Sequence, residues 1–430
     1  MSFTRVQHLR PLPLHKRAYD AFLSHAHADK AVVDRIHGWL ADTSGVPVWY
    51  DATHLSASSR IVDALGQGIS ESRAAIVVLS EAAIRSGWVQ EEYSAAVEQR
   101  VSNPDFRIVP VRLGNAAIPT FLQTTKWVEL PNAEFGVDQA AELLASLYGS
   151  ADTHDPGSAR DVYVSRTWRE AEAARADEIC RLAVEYGFRL IGDSRDQHGF
   201  ADGQRVRSII ASCGAFIAVL PHRGGHTTSQ YMLREIEQAL ALGLPSLIVA
   251  DHEIQLPEPI AEQAICVGAD HEADLTAVDH GLQRLDDEWD RPSAPHRVFF
   301  STPLQAGSHE RVRLVTNILQ RVTGMPCVVG DDIREGHVQR TIIDAIQDSF
   351  LVLADISEEN LNTCIEAGVA LGAGRPLHLL AAGPRRRPTA FMFRDQQVWY
   401  FEDELELLGL VHRIARPYRR RVLNDELLHR

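Results

Sequence analysis

The sequence predicts an α/β protein built from three tandem doubly wound parallel-sheet units of the flavodoxin-like, Rossmannoid kind. Short apolar runs rich in β-branched residues recur along its 430 residues, as in Ala74–Leu79 (AAIVVL) and Ala215–Leu220 (AFIAVL). Such runs are typical of strands buried on both faces, and amphipathic segments of helical length separate them. Alternation of this kind predicts parallel sheets covered by helices. The length is also that of about three ordinary domains.

Two small-polar connectors, Ser150–Arg160 and Asp286–Pro295, divide the chain and predict domains at 1–150, 160–285 and 295–430. In the first domain we predict strands at Tyr19–Ser24, Val46–Tyr50, Ala74–Leu79, Phe106–Leu113 and Lys126–Leu130. In the second they fall at Val162–Ser165, Phe188–Ile191, Ala215–Leu220 and Ser246–Ala250. In the third they fall at Val298–Ser301, Cys327–Val329, Phe350–Ala354 and Leu377–Ala381, the last of which is expected to close the sheet.

The middle of each domain is a repeat of the same design. The segments IVDALGQGISESRAAIVVLS, VRSIIASCGAFIAVLP and IIDAIQDSFLVLADIS each predict an amphipathic helix, a polar turn with a serine and a buried strand. A helix with a glutamate and, four residues on, an alanine follows each of them. The pairs are Glu92 and Ala96, Glu235 and Ala239, and Glu366 and Ala370. A small residue one turn after the carboxylate lets the helix pack closely while the carboxylate faces the crevice.

Composition and charge restrict the function. A net charge of -15 argues against a general nucleic-acid binder, because phosphate contacts need a cationic surface. Arginines cluster locally at 385–387 and 416–421, where they could hold a phosphate-bearing ligand or an acidic neighbour, or form a solvated face. No apolar run approaches the length of a membrane span, and the N-terminus has no apolar signal core. Five single cysteines without a CxxC pair suggest a reducing, cytoplasmic compartment.

The stretch Ser80–Ala96 (SEAAIRSGWVQEEYSAA) places Glu91 and Glu92 just after a predicted central strand. The carboxyl ends of such strands are where open α/β sheets place their ligands. Both acids could instead be ordinary helix-start residues favoured by the helix dipole. An HxH pair, His25 and His27, lies on the loop after the first strand, but no third ligand is suggested nearby, so no metal site is expected.

Residues 18–135 resemble a Toll/interleukin-1 receptor (TIR) domain. The resemblance rests on the strand YDAFLS with HAHADK after it, on VWYD at 48–51 and on the SGWVQEE segment. TIR domains that cleave NAD carry a serine, a tryptophan two residues later and a glutamate four residues after that. In this sequence those positions are Ser86, Trp88 and Glu92. The loop after Asp51 reads ATHLSASSR, where many family members carry a glycine.

The resemblance implies cleavage of the bond between nicotinamide and ribose in NAD, with NAD as substrate and no further cofactor. Nicotinamide leaves as a neutral molecule, so the site needs no general acid, only a carboxylate beside the developing oxocarbenium ion. Glu92 suits that role. Trp88 offers a stacking face, Phe22 and Ser24 would line the crevice, and Asp51 could hydrogen-bond a ribose hydroxyl. The alternatives are core packing for Trp88 and Phe22 and a strand-end turn for Asp51.

The third domain resembles nucleoside 2-deoxyribosyltransferase-like proteins through VFFSTPL, LADIS and NLNTCIEAGVALGAGRP. In that family the residue matching Glu366 is the nucleophile at the sugar C1′, and the residue matching Asp355 helps to hold the nucleoside. The fold is also reused for ligand sensing, so a pocket without turnover is an equal alternative. The second domain retains Glu235 and is interpreted as a related partner unit.

These features lead to three hypotheses. The first is a bacterial-type immune effector for antiviral defence, in which the TIR unit cleaves NAD. In it the C-terminal units sense a nucleotide-like signal and self-association completes the site. In layout this resembles effectors that fuse a TIR domain to a SAVED-type sensor of cyclic oligonucleotides. The second is a nucleoside or nucleotide N-glycosidase acting through Glu366. The third is a non-enzymatic TIR scaffold.

Overall fold

The computed structural model describes most of the chain, and three five-stranded sheets form its framework. The described residues are 17–50, 66, 68–85, 96–103, 106–119, 125–148, 160–192, 203–268, 271–289, 297–303, 309–333, 337–358, 360–384, 393–420 and 422–424. The chain divides into two compact units. Unit 1 comprises Met1–Ser150 with Phe401–Arg413, and unit 2 comprises Ala151–Tyr400 with Ile414–Arg430. The second and third sheets therefore lie within one compact unit.

The first sheet lies in unit 1. Its strands are β1 (Ala21–Ser24), β2 (Val48–Tyr50), β3 (Ala74–Leu79), β4 (Arg107–Leu113) and β5 (Val128–Leu130). Its described helices include α1 (Lys30–Gly38), α2 (Glu81–Arg85) and α3 (Val137–Tyr148). All six residues of β3 are buried, as expected for a central strand covered on both faces.

The second sheet is the first of the two in unit 2. Its strands are β6 (Asp161–Ser165), β7 (Arg189–Ile191), β8 (Ala215–Leu220), β9 (Ser246–Asp251) and β10 (Ala264–Val267). Its helices are α4 (Glu170–Glu185), α5 (Gly203–Ala211), α6 (Gln230–Ala241), α7 (Ile260–Gln263) and α8 (His271–Asp287). Strand β10 and helix α8 were missed from the sequence, because the edge strand is short and only half-buried.

The third sheet repeats the design. Its strands are β11 (Arg297–Ser301), β12 (Cys327–Val329), β13 (Ser349–Asp355), β14 (Leu377–Ala382) and β15 (Val398–Phe401). Its helices are α9 (His309–Thr323), α10 (Val338–Gln347) and α11 (Leu361–Gly372), and α12 (Glu404–Ala415) follows β15. The expectation that the strand at Leu377 closes the sheet was wrong, because β15 pairs outside it at the edge.

All three sheets have the same strand order, which confirms the predicted fold class. Counted within each sheet the order is 2-1-3-4-5. The strand pairs whose residue-by-residue register lies within the described ranges are all parallel. In this order the chain changes direction across the sheet between its first and third strands. That switch point, at the carboxyl ends of the two strands, is the usual ligand crevice of doubly wound folds.

The repeat predicted from sequence extends to a local contact before each third strand. The Ser72 hydroxyl donates to the Gly68 carbonyl at 2.7 Å, and the Ser349 hydroxyl donates to the Ala345 carbonyl at 2.6 Å. In the second sheet the Ser212 hydroxyl donates to the Ile209 carbonyl at 2.7 Å, and the Cys213 thiol lies 3.5 Å from the same oxygen. Each helix thus ends in a buried polar side chain that satisfies one of its last carbonyls.

The helix that follows the third sheet belongs largely to unit 1. The Trp39 indole donates to the Leu405 carbonyl at 2.9 Å, and the Arg413 guanidinium donates to the Asp42 carbonyl at 2.8 Å. The buried ring of His412 places Nδ1 2.9 Å from the Ser44 carbonyl oxygen. The contacted segment of the first domain is a π-helical turn, Trp39–Thr43, a local irregularity that often marks a functional position.

The last described residues pack within unit 2 against the edge of the second sheet. The Leu423 amide donates to the Leu190 carbonyl at 2.9 Å, and Val422 forms an antiparallel bridge with Ile191. The guanidinium of Arg420 pairs with the buried carboxylate of Asp161. Among the arginines at 416–421, Arg420 therefore binds an acidic neighbour, which is one of the three roles considered for this cluster. The cluster at 385–387 lies outside the described residues.

We expect Leu423→Ala to destabilise unit 2 by about 2–5 kcal/mol, the usual cost of removing a buried leucine side chain. Leu423 is fully buried in the core beneath the second sheet although it lies near the end of the chain. Denaturant unfolding of the full chain measures the effect. The matched control is Leu361→Ala, at a leucine that is 80% exposed. Equal stability of the two variants would contradict this role for the C-terminal segment.

Candidate functional sites at the switch points

In the first sheet, Phe22 and Ser24 lie on the central strand that borders the switch point. Phe22 is buried and stacks on Trp49, with ring centroids 5.1 Å apart, so its ring is at least part of the core. Ser24 is the last residue of β1 and is also buried. Directly after the neighbouring strand β3, Ser80 donates to Asp29 at 2.6 Å and accepts from the Ala83 amide in the first turn of α2. The crevice is therefore edged by hydroxyl groups.

The remaining predicted residues of this site are Asp51, Ser86, Trp88 and Glu92, together with its neighbour Glu91. They lie outside the described residues. Their roles stay predictions. Of the residues predicted for this site, Phe22 and Ser24 are the two whose positions lie within the described ranges.

A cluster of polar side chains that was not predicted from the sequence lies at the end of β2. The buried Tyr50 donates to Asp34 at 2.6 Å, and the Lys30 ammonium bonds the same carboxylate at 2.8 Å. The hydrogen bond from Lys30, followed by that from Tyr50, lowers the pKa of Asp34. His25 lies against the Tyr50 ring, with centroids 5.3 Å apart. Within the described ranges, no group of three or more histidine, cysteine or acidic residues could hold a metal ion.

The third sheet brings Glu366 to the end of its first strand. The Ser301 hydroxyl, at the end of β11, donates to Oε2 of this half-buried glutamate. Desolvation by burial raises the pKa of Glu366, although the hydrogen bond from Ser301 partly offsets it. A carboxylate that is half withdrawn from water at a strand end can bind a hydroxyl-bearing or cationic group, or act as a nucleophile.

Asp355, predicted to hold a nucleoside beside Glu366, is buried at the end of β13. Its Oδ1 accepts hydrogen bonds from the amide and the hydroxyl of Ser357, and that hydroxyl accepts from the Ala382 amide. Arg311 lies 4.0 Å from the other carboxylate oxygen. One oxygen of Asp355 thus joins the ends of two strands, and the other faces a cation.

In the second sheet, Glu235 is held by two donors. The Tyr163 hydroxyl donates to Oε1 and the Ser165 hydroxyl to Oε2, each at 2.5 Å. Tyr163 and the two strand-end serines, Ser165 and Ser301, were not predicted from the sequence as site residues. A signal for the serines was present, since YDAFLS, DVYVS and RVFFS all end in serine.

We expect Glu366→Gln to increase stability relative to the wild type above the ordinary glutamate pKa of 4.5. A carboxyl group with a raised pKa in the folded state favours folding fully below its unfolded pKa. That contribution is lost as the pH rises through the raised value, because ionisation then costs more in the folded state. The measurement is the difference in Tm between variant and wild type below pH 4.5 and at about pH 8. Glu310→Gln, at an exposed carboxylate, is the control and should leave no such pH dependence.

Comparison with known proteins finds matches in the N-terminal part of the chain. Residues 21–144 match the family model of the TIR domain. The NAD(+) hydrolase TcpA of Theionarchaea archaeon is 34% identical over 93 residues, which is 22% of this chain and 28% of that protein. The 2′ cyclic ADP-D-ribose synthase BtTIR of Bacteroides thetaiotaomicron is 26% identical over 91 residues, 21% of this chain and 32% of that protein.

The chain thus spans about a quarter to a third of the length of the curated relatives it matches. Among solved structures, the TIR domain of the Toll-related receptor TRR-2 of Hydra magnipapillata is 14% identical with a TM-score of 0.27. That alignment covers 30% of this chain and 98% of the other. The described residues include no helix long and apolar enough to cross a membrane. The family-model match and the curated relatives thus support a TIR domain at residues 21–144 of this chain.

Proposed function

We propose that the N-terminal unit cleaves the N-glycosidic bond of NAD and that the two C-terminal α/β units gate this activity by binding a nucleotide-like signal. The observation that carries the proposal is the match of residues 21–144 to the TIR domain. Relatives of this segment are named as NAD(+) hydrolases and as cyclic ADP-D-ribose synthases. Self-association of TIR units is part of the proposal, because a neighbouring copy would complete the site.

In this mechanism the bond between C1′ of the ribose and the nicotinamide nitrogen breaks, and its electron pair leaves with nicotinamide. Glu92 stabilises the cationic sugar that remains or adds to it as a nucleophile. Water then attacks C1′ and loses a proton to give ADP-ribose, or a hydroxyl of the same molecule attacks to give a cyclic product. Trp88 would stack on a ring of NAD, Asp51 would bind a ribose hydroxyl, and Ser86 with Ser24 would edge the pocket.

Two features of the described residues support gating by the C-terminal units. The third sheet has a half-buried carboxylate, Glu366, at a switch point where doubly wound folds bind ligands. The segment Phe401–Arg413, which begins with the final residue of the last strand of that sheet, is part of unit 1. A change at the third sheet therefore has a direct covalent path into the unit that contains the TIR domain.

We expect Glu92→Gln to reduce nicotinamide release from NAD by at least about 10²-fold, because the amide cannot stabilise a cationic sugar as a carboxylate does. The assay uses the purified full chain at concentrations high enough for self-association, with and without a panel of cyclic oligonucleotides. Glu91→Gln is the matched control, since its side chain would point about 100° away on the same helix. Equal losses in both variants would indicate a damaged helix rather than a catalytic role.

A second candidate function, an N-glycosidase acting through Glu366, is supported by the raised pKa of that carboxylate and its hydrogen bond from Ser301. One variant separates this candidate from the first proposal. If the third sheet is a sensor, as first proposed, we expect Glu366→Gln to abolish activation by a nucleotide while leaving basal NAD cleavage intact. Nicotinamide release and nucleoside cleavage are measured on the same samples. If this variant and not Glu92→Gln loses N-glycosidic cleavage, the second candidate is correct. Absence of cleavage in the wild type under every condition would favour a TIR scaffold.

A further inference from the structure

The pairing register makes the three switch points directly comparable. Each first strand ends in a serine that lies opposite a small or β-branched residue of the third strand: Ser24 opposite Val77, Ser165 opposite Ala218 and Ser301 opposite Ala354. Two residues earlier, on the same face of the strand, the equivalent positions hold Phe22, Tyr163 and Phe299. At this position the second copy therefore carries a phenolic hydroxyl that the other two copies lack.

In the second sheet that hydroxyl is used on the glutamate. Tyr163 and Ser165 each donate to a different oxygen of Glu235, and the glutamate is only 3% exposed. A ligand would have to reach a buried carboxylate and compete with two donors already in place. Such a fully bonded, buried group supports the fold and offers little to a ligand.

In the third sheet the same position has no hydroxyl to donate. The Ser301 hydroxyl donates to Oε2 of Glu366. A methyl group placed on Gly330 would lie 3.2 Å from Oε1 of Glu366 and 3.9 Å from Cζ of Phe299. Both atoms therefore border the space beside Gly330. In the second sheet the tyrosine at the equivalent position donates to Oε1 of its glutamate, so we expect a hydroxyl added at Cζ of Phe299 to reach Glu366 in the same way.

The loops and helix ends around the second and third crevices also make the second crevice the more closed of the two. After β6, the buried Arg166 pairs with Asp177 at 2.6 Å, while Thr167 and Arg223 both bond Glu172. These two ion pairs and the hydrogen bond from Thr167 hold the loops of the second crevice together. At the third, the first turns of α11 expose two apolar side chains, Leu361 at 80% and Ile365 at 63%. The equivalent positions of α6, five residues and one residue before Glu235, hold the exposed polar side chains of Gln230 and Arg234.

We propose that the residue two positions before the end of the first strand decides whether the second and third copies of the site are open. Tyr163 closes the second copy, whereas Phe299 leaves the third open. In the third, Oε1 of Glu366 accepts a hydrogen bond from a ribose hydroxyl beside the apolar rim. The assignment of a ribose hydroxyl as the ligand rests on the proposed function. The difference between an open third site and a closed second site does not depend on it.

The test is chemical modification of the carboxylates with a water-soluble carbodiimide and glycine ethyl ester, followed by peptide mass spectrometry. Modification is normalised to the exposed Glu310. In the wild type we expect Glu366 to be modified and Glu235 to be protected. Phe299→Tyr should lower modification of Glu366 about tenfold, because the new hydroxyl donates to a charged oxygen. Tyr163→Phe should raise modification of Glu235 above its wild-type level.

Phe299→Leu is the control that removes the ring without adding a hydroxyl, and it should leave Glu366 reactive. The Tm of each variant establishes that the chain is folded. Wild-type reactivity of Glu366 in a folded Phe299→Tyr variant would overturn the proposal. So would equal reactivity of Glu235 and Glu366 in the wild type.

ADP-ribose is the probe for the ligand class. We expect it to protect Glu366 from modification in the wild type and to bind Phe299→Tyr at least about tenfold more weakly. Absence of protection would reject the ribose ligand and leave the modification pattern to decide between open and closed copies. If the chain released no nicotinamide from NAD, the proposed function would fail while this pattern still tested the role of the phenol.

Discussion

The strand order of each sheet is the constraint on which the candidate sites depend. Because the first strand lies beside the third, the helix that follows the third strand packs over the end of the first. A glutamate on that helix therefore meets the side chains that end the first strand, and the meeting is seen twice, at Ser165 with Glu235 and at Ser301 with Glu366. Parallel strands impose this, since every connection must cross the sheet and return to the same edge.

The residue two positions before the end of the first strand accounts for the difference between the second and third sites. A buried carboxylate that receives a hydrogen bond on each oxygen, as Glu235 does, has both oxygens satisfied and holds the strand and the helix together. A carboxylate that receives one, and is only half-buried, retains an oxygen that can accept a ligand. Tyr163 and Phe299 differ by a single oxygen atom, and the pKa of Glu366 is raised because burial removes water that one serine hydroxyl does not replace.

Much of the fold followed from pattern alone. The central strands of all three sheets are long enough and apolar enough to be predicted within a residue or two, as at β3 and β8. The edge strands β10 and β15 were missed because an edge strand is short and half-exposed, and so has no continuous apolar run. Helix α12 was missed as well, and its association with the first domain could not be read from a sequence distance of more than 360 residues.

The sequence by itself determined the α/β class, the threefold repeat and the glutamate carried by each copy, because periodicity and buried runs are local properties. It also determined the TIR resemblance of the first domain, which rests on short contiguous motifs. Only the tertiary structure decided how each carboxylate is bonded and which chain segments share a compact unit. Burial, hydrogen-bond partners and raised pKa values are set by residues far apart in sequence, such as Tyr163 and Glu235, which the fold alone brings together.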